Sequence, residues 1–367
     1  MFHTYPSNIP IGTSHNYILC WDTPRRLTAR GYFRCTSYTS YIWRFWFSNT
    51  VDSTYDSGEI AYPDRPGGSW KIHSARIGDG GPYILGEMES PSDVTNWISV
   101  TFNGSKSRDV LPNENFWSDE VYLELPKDHL LVWEWELEGN HIPMTPDSQA
   151  STFVGYDDGK LQFDTFCPLP DFFGTRREVK NRIIFWGDSI TQGCGTRNNF
   201  YEHWAAQTAL TLGEEYSFWN IGLGWGRGSD GAYNKAWKYK AMQGDTVCLA
   251  FGVNDIISGR FGAGRASQPQ EIIQTLEIII RELKEHGIRV ILFTIPPFDY
   301  PIENYMVWKT LRYAYPALAR ELDVELFDFS SILDASPPYG NEFIYGAHPE
   351  KEGGSLVAKA ILAEGLF

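Results

Sequence analysis

Positive charge is scarce in this 367-residue chain: 31 Lys and Arg stand against 46 Asp and Glu, a formal net charge of −15. Such a balance leaves no basic stripe for a phosphate backbone and repels anionic lipid, so neither nucleic acid nor a membrane is an expected partner. No apolar run approaches the ~18 residues of a membrane-spanning helix. The start, Met1-Phe2-His3-Thr4-Tyr5-Pro6, lacks the cationic and then apolar segments of a secretion leader. Cysteine is sparse as well. Cys20, Cys35, Cys167, Cys194 and Cys248 are odd in number, scattered and without a Cys-x-x-Cys pair, which argues against zinc and for free thiols in a reducing compartment. The eight His residues form no His-x-His or His-Glu-x-x-His, so no metal and no cofactor are expected and a chelator should leave the protein unaffected. Internal repeats and low-complexity tracts are missing too. A soluble, cytoplasmic protein is the expectation, with self-association left open.

Aromatics, by contrast, are abundant, at 15% of the chain with 14 Trp. They suit either flat walls for sugar rings or amphipathic core and interface packing. A length of 367 suggests about two domains, and the sequence divides accordingly.

Up to about Lys180, turn residues recur every ten positions or so, with alternating segments between them, the rhythm of an all-β sandwich. In Leu131-Val132-Trp133-Glu134-Trp135-Glu136-Leu137-Glu138 the odd positions are apolar and the even ones mostly acidic, which predicts a strand with one wet face. Val121–Leu125, Ile42–Phe47 and Trp97–Phe102 are further strands, and no helix is expected in this half.

Beyond Lys180 the period changes. Apolar runs at Ile183–Trp186, Tyr216–Ile221, Thr246–Phe251, Arg289–Ile295 and Val324–Phe329 predict buried parallel strands. Helical stretches near Phe200–Leu212, Tyr233–Met242, Pro269–His286, Tyr305–Leu322 and Lys351–Ala363 separate or follow them. Within the third, Ile272, Ile273, Leu276, Ile279, Ile280 and Leu283 share one face, while Glu271, Glu277, Arg281 and Lys284 take the other. Strands alternating with helices imply a three-layer, flavodoxin-like α/β domain with a parallel sheet. The boundary falls within 168–180, giving an accessory domain over 1–178 and an α/β domain over 179–367.

Gly187-Asp188-Ser189-Ile190 directly follows the first α/β strand, so the turn lifts Ser189 above the carboxyl edge of the sheet, where open α/β folds bind ligands. Asn220-Ile221-Gly222-Leu223-Gly224-Trp225-Gly226 follows the second strand and Gly252-Val253-Asn254-Asp255 the third; Ala347-His348-Pro349 precedes the last helix. Acyl transfer needs an oxygen nucleophile, a base within hydrogen-bond reach and donors aimed where the carbonyl oxygen becomes negative. Ser189 can be the first and His348 the second, since imidazole titrates near working pH. The side-chain amide of Asn254 can aim at the developing oxyanion. Asp188 and Asp255 suit a loop-holding role, accepting backbone N–H bonds.

These four blocks resemble the SGNH, or GDSL-type, hydrolases, over roughly Arg182 to the end of the chain. The resemblance implies that Asn254 shares the oxyanion with the backbone N–H of Ser189 and one N–H from the glycine block. Counted from Asn220, the usual family spacing reaches Trp225 rather than a glycine, so Gly224 and Trp225 both remain candidates. One departure concerns the third triad member: the family's usual Asp position is Tyr345 here. A buried carboxylate fixes the imidazole tautomer, and its loss can cost on the order of ten-thousandfold. A Ser189–His348 dyad is the preferred expectation, its ring oriented by a backbone carbonyl or Tyr345, with Glu342 or another acid as the alternative.

The first half, with Arg44-Phe45-Trp46-Phe47-Ser48-Asn49, Phe102-Asn103-Gly104 and Ser118-Asp119, looks like the jelly-roll-like β-sandwich that precedes the hydrolase domain in two-domain carbohydrate esterases. That resemblance implies a serine esterase removing O-acetyl groups from oligosaccharides through an acyl-Ser189 intermediate. Trp225, Phe298 and Tyr300 are candidates to stack on the sugar, with Trp186 assigned to the core. The same blocks would serve a short-chain lipase or acyl-thioesterase, and a catalytically degenerate glycan-binding protein is a further alternative.

Overall fold

The computed structural model describes residues 1–52, 64–145, 149–257, 266–300, 302–333, 343–344 and 348–367. Among the described residues the first half is all β. Its larger antiparallel sheet runs, in spatial order, Gln162–Phe163, Ser151–Tyr156, Arg25–Arg34, His129–Gly139, Trp70–Pro82 and Thr95–Val100, with Arg108–Val110 also on the fifth of these. A smaller one sets Ile42–Ser48 between Phe172–Thr175 and Asn115–Trp117, with Val121–Tyr122 beside it. The sheets share one apolar core. Phe45 meets Trp133 at 4.6 Å between ring centroids, Phe33 meets Phe173 at 4.5 Å, and Phe47 meets Trp135 at 5.5 Å.

The His129–Gly139 strand departs from the wet-face expectation over its first part, while Glu136 is half-buried and Glu138 exposed. Leu130, Val132 and Glu134 are as buried as the apolar face, because Tyr32, Phe153 and the partly buried Met88, Val94, Trp97 and Leu161 gather over Leu130 and Val132. Glu134 is neutralised there by Arg30 and Arg76, each placing a guanidinium nitrogen 2.5 Å from a carboxylate oxygen.

The second half holds five parallel strands in the order Tyr216–Asn220, Asn181–Gly187, Thr246–Ala250, Arg289–Phe293 and Glu325–Phe327. This is the doubly wound order whose switch point lies beside the first strand in sequence, Asn181–Gly187. The α-helices among the described residues are Ser189–Gln192, Trp204–Leu212, Gly228–Tyr233, Lys235–Ala241, Val253–Ile257, Pro269–Glu285, Ile302–Leu322 and Lys351–Glu364. Two predicted helices change. The one expected from Phe200 starts at Trp204, because His203 caps it, Nδ1 accepting from Ala206 N–H at 3.4 Å. The one expected from Tyr233 is broken at Asn234, whose side chain caps Lys235–Ala241 by accepting from Trp237 N–H at 2.6 Å. No helix among the described residues is long and apolar enough to cross a membrane.

The halves are welded rather than strung. Segment 168–180 is no exposed linker, for Leu169, Asp171 and Phe173 are buried and Phe172–Thr175 is a sheet strand. On Ile42–Ser48, Trp43, Phe45 and Phe47 enter the β core while Trp46 faces the other way, into the α/β core. Phe2, Trp46 and Phe172 surround Trp219 at 5.4, 6.0 and 4.7 Å between ring centroids. A strand buried on both faces explains an uninterrupted aromatic run. The aromatic load goes mostly into this packing: of the 14 Trp, ten are buried, Trp21, Trp97, Trp117 and Trp225 are half-buried, and none is exposed. At the same junction Lys240 forms ion pairs with Asp52 and Asp171, all three fully buried. Burial pushes both carboxyls up and Lys240 pulls them back. The beneficiary is the segment at His15, whose N–H donates to Asp52 Oδ2 at 3.2 Å and whose Nε2 lies 3.0 Å from Leu169 O.

Candidate active site

The strand Asn181–Gly187 ends in a turn so tight that a Cβ on Gly187 would sit 2.5 Å from Ala250 O. Asp188 then caps a single helical turn, Ser189–Gln192, accepting from Ile190 N–H at 3.0 Å through Oδ1. The N–H groups of Thr191 and Gln192 turn back onto Asp188 O. Within this first turn, therefore, only the Ser189 amide is not committed to Asp188. Ser189 is half-buried at the carboxyl edge, and His348, 7% exposed, approaches from the far end of the chain. Ser189 Oγ and His348 Nε2 are 2.9 Å apart, a hydrogen bond spanning 159 positions. Phe298 stands edge-on to the imidazole with centroids 5.2 Å apart. Tyr345 and Glu342, the residues weighed as orienters of that ring, lie outside the described residues.

The glycine block packs directly on the turn that carries Ser189. A Cβ at Gly222 would stand 2.6 Å from Gln192 N. Asn220 donates to Thr191 O at 2.7 Å and accepts from Gly222 N–H at 2.8 Å, and Leu223 N–H donates to Gly187 O at 3.1 Å. Gly224 N–H is donated to Gln192 Oε1 at 2.6 Å, and Gly224 O accepts from Asn16 Nδ2 at 2.8 Å. Trp225 follows at φ 63, inside a turn closed by Gly226 N–H to Leu223 O at 3.0 Å. The buried Asn254 donates one amide hydrogen to Gly226 O at 3.1 Å, and an amide carries two. One of its two amide hydrogens is thus spent on holding the glycine block.

Both carboxylates behave as loop holders. Asp188 serves the cap, and Asp255 Oδ2 accepts from Gly228 N–H at 2.9 Å. Burial pushes Asp188 up to about 7 and Asp255 up to about 6, and each acid lacks a direct cation partner strong enough to reverse it. Trp186 is core, edge-on to Trp237 and Phe251, whereas Trp225, Phe298 and Tyr300 are half-buried. Among the described residues no cluster of three or more His, Cys, Asp or Glu side chains could hold a metal ion.

Two contributors escape sequence reading. Gln192 lies three positions after Ser189, a helical spacing that offers a faint signal. Asn16 offers none, being 208 positions from its partner Gly224.

A serine and imidazole joined above the switch point of a doubly wound sheet define the second half as an α/β ester-hydrolase fold. Residues 185–355 match the model of the GDSL-like Lipase/Acylhydrolase family, and the chain carries a domain of that family. No curated protein matches the chain. Among solved structures it is similar to a member of the lipolytic protein G-D-S-L family from Veillonella parvula, at 25% identity and TM-score 0.42 over 50% of this chain and 96% of that one. It is also similar to an acetyl xylan esterase from Geobacillus stearothermophilus, at 19% identity and TM-score 0.43 over 51% of this chain and 94% of that one.

Proposed function

We propose that the chain is a serine esterase that removes O-acetyl groups from oligosaccharides, with Ser189 as nucleophile and His348 as its base. The observation that carries this reading is the 2.9 Å contact between Ser189 Oγ and His348 Nε2. His348 takes the hydroxyl proton as Oγ attacks the acetyl carbonyl, and the oxygen becomes negative. That oxyanion is met by the N–H groups of Ser189 and Trp225 and by the second amide hydrogen of Asn254; the Gly224 amide, already bound to Gln192, is left out. Collapse expels the sugar oxygen, which receives the proton from His348. Water, deprotonated by the same imidazole, then releases acetate from the acyl-serine. Each oxyanion donor is worth roughly 3 kcal/mol of transition-state stabilisation.

Half-buried Trp225, Phe298 and Tyr300 suit the C–H faces of a sugar ring, and Phe298 touches the imidazole itself. Within the same reading residues 1–178 are a jelly-roll-like accessory domain and 179–367 the catalytic domain, working as a Ser–His dyad. The test is acetate release from acetylated xylo- or manno-oligosaccharides, expected of the wild-type chain and nearly abolished in Ser189→Ala and His348→Ala. Substantial release by Ser189→Ala would remove the serine. A preference for long acyl chains on nitrophenyl esters would instead make the protein a lipase or thioesterase. Glycan affinity without fluorophosphonate labelling would make it a binder.

A further inference from the structure

Gly224 is gripped on both sides, its N–H by Gln192 Oε1 and its carbonyl by Asn16 Nδ2. That carbonyl belongs to the peptide unit whose N–H is carried by Trp225. The unit is planar and trans, so its C=O and N–H point in opposite directions and fixing one aims the other. A donor on the carbonyl also polarises the peptide and strengthens its N–H. Trp225 stands at φ 63, a left-handed conformation that a bulky residue adopts only when its surroundings impose it.

Asn16 is fully buried, and its Oδ1 has no hydrogen-bond partner. An acceptor left unsatisfied in the interior is unfavourable, so the amide's value lies in what its Nδ2 does. Its backbone is anchored on both sides. His15 is held by Asp52 and Leu169 at the buried Lys240 ion pairs, and Tyr17–Leu19 pairs with Ile142–Met144.

We propose that Asn16 is a positioning residue for ester hydrolysis: the N-terminal half reaches across the junction and sets the Gly224–Trp225 peptide so that Trp225 N–H faces the oxyanion beside Ser189. The inference rests on the serine-esterase reading above. It gives the β half a part in the chemistry itself, acting through the glycine block and touching no substrate.

The test compares Asn16→Leu, Asn16→Asp and Ser189→Ala in the full chain. The readouts are hydrolysis of a short-chain nitrophenyl ester and inhibition by a boronic acid, which adds to the serine as a tetrahedral anion. Asn16→Leu should lower kcat by about tenfold to a hundredfold, less than the loss of a whole oxyanion donor, with KM nearly unchanged. Boronate affinity should fall by the same factor as kcat/KM, which a merely structural role would not produce. Asn16→Asp keeps the shape: its protonated carboxyl can donate to Gly224 O and its carboxylate cannot, so its kcat relative to wild type should fall as pH rises. Folded variants with kcat within about twofold of wild type would overturn the inference, as would a loss confined to KM, or failure of both variants to fold, which would make Asn16 structural. Should Ser189→Ala keep wild-type turnover, the esterase reading itself fails. A dead Ser189→Ala beside active Asn16 variants removes only the positioning role.

Discussion

His348 Nε2 lies 2.9 Å from Ser189 Oγ although 159 positions separate the two residues. A nucleophile and base that act as one unit lose nearly everything when either is removed. Ser189→Ala and His348→Ala should each reduce kcat on an acetyl ester by roughly 10⁴-fold or more, as for removal of a triad member. The double variant should fall no more than about tenfold below the weaker single one. Multiplying losses, measured as steady-state kcat, would mean that the two side chains do not work together.

Asn254 holds Gly226 O with one amide hydrogen, and in the proposed reaction its other hydrogen meets the oxyanion. Asn254→Ala should cost about 10²–10³ in kcat, the loss expected of one oxyanion donor, with a much smaller change in KM. An unchanged kcat in a folded variant would assign Asn254 to loop support alone.

Burial raises the Asp188 carboxyl from 3.8 in the unfolded chain to about 7 in the fold. Between those values the folded state binds more protons than the unfolded one, so this group's contribution to stability is lost as pH rises. Asn at position 188 keeps the acceptor oxygen for Ile190 N–H and has no proton to lose. Urea unfolding of Asp188→Asn should therefore show a shallower decline in stability between pH about 4 and about 7 than wild type shows. Equal slopes would contradict the assignment. Asp255, Asp52 and Asp171, also raised by burial, contribute to the decline that remains.

Lys240 stands between two buried carboxylates at the junction of the halves. Lys240→Met leaves Asp52 and Asp171 without their cation and should destabilise the fold by about 3–5 kcal/mol. Adding Asp52→Asn and Asp171→Asn should recover most of that loss in chemical denaturation. A stable Lys240→Met protein would show that the network is dispensable.

Strand and helix positions in the second half are legible because each depends on a local pattern. The run Ile183-Ile184-Phe185-Trp186 is apolar throughout since both faces of its strand are buried, and Pro269–Glu285 carries one apolar stripe because one face of its helix is. Ser189 is legible for a similar reason, as Gly187 and Asp188 build its turn from adjacent residues. The break at Asn234 was hidden, because that side chain both caps a helix and donates to Asp52 O at 2.6 Å in the other half. The covered outer face of His129–Gly139 was hidden too, since residues that cover it come from distant segments.

By itself the sequence determined the class of each half, the turn that carries Ser189 and the residue types able to perform acyl transfer, all consequences of short-range periodicity and turn chemistry. Only the tertiary structure decided which groups meet: that Gln192 occupies Gly224 N–H, that Asn16 holds its carbonyl, and that aromatic rings fill a junction. A hydrogen bond depends on direction and distance, and for residues far apart in the chain both are fixed only when sheets and helices pack.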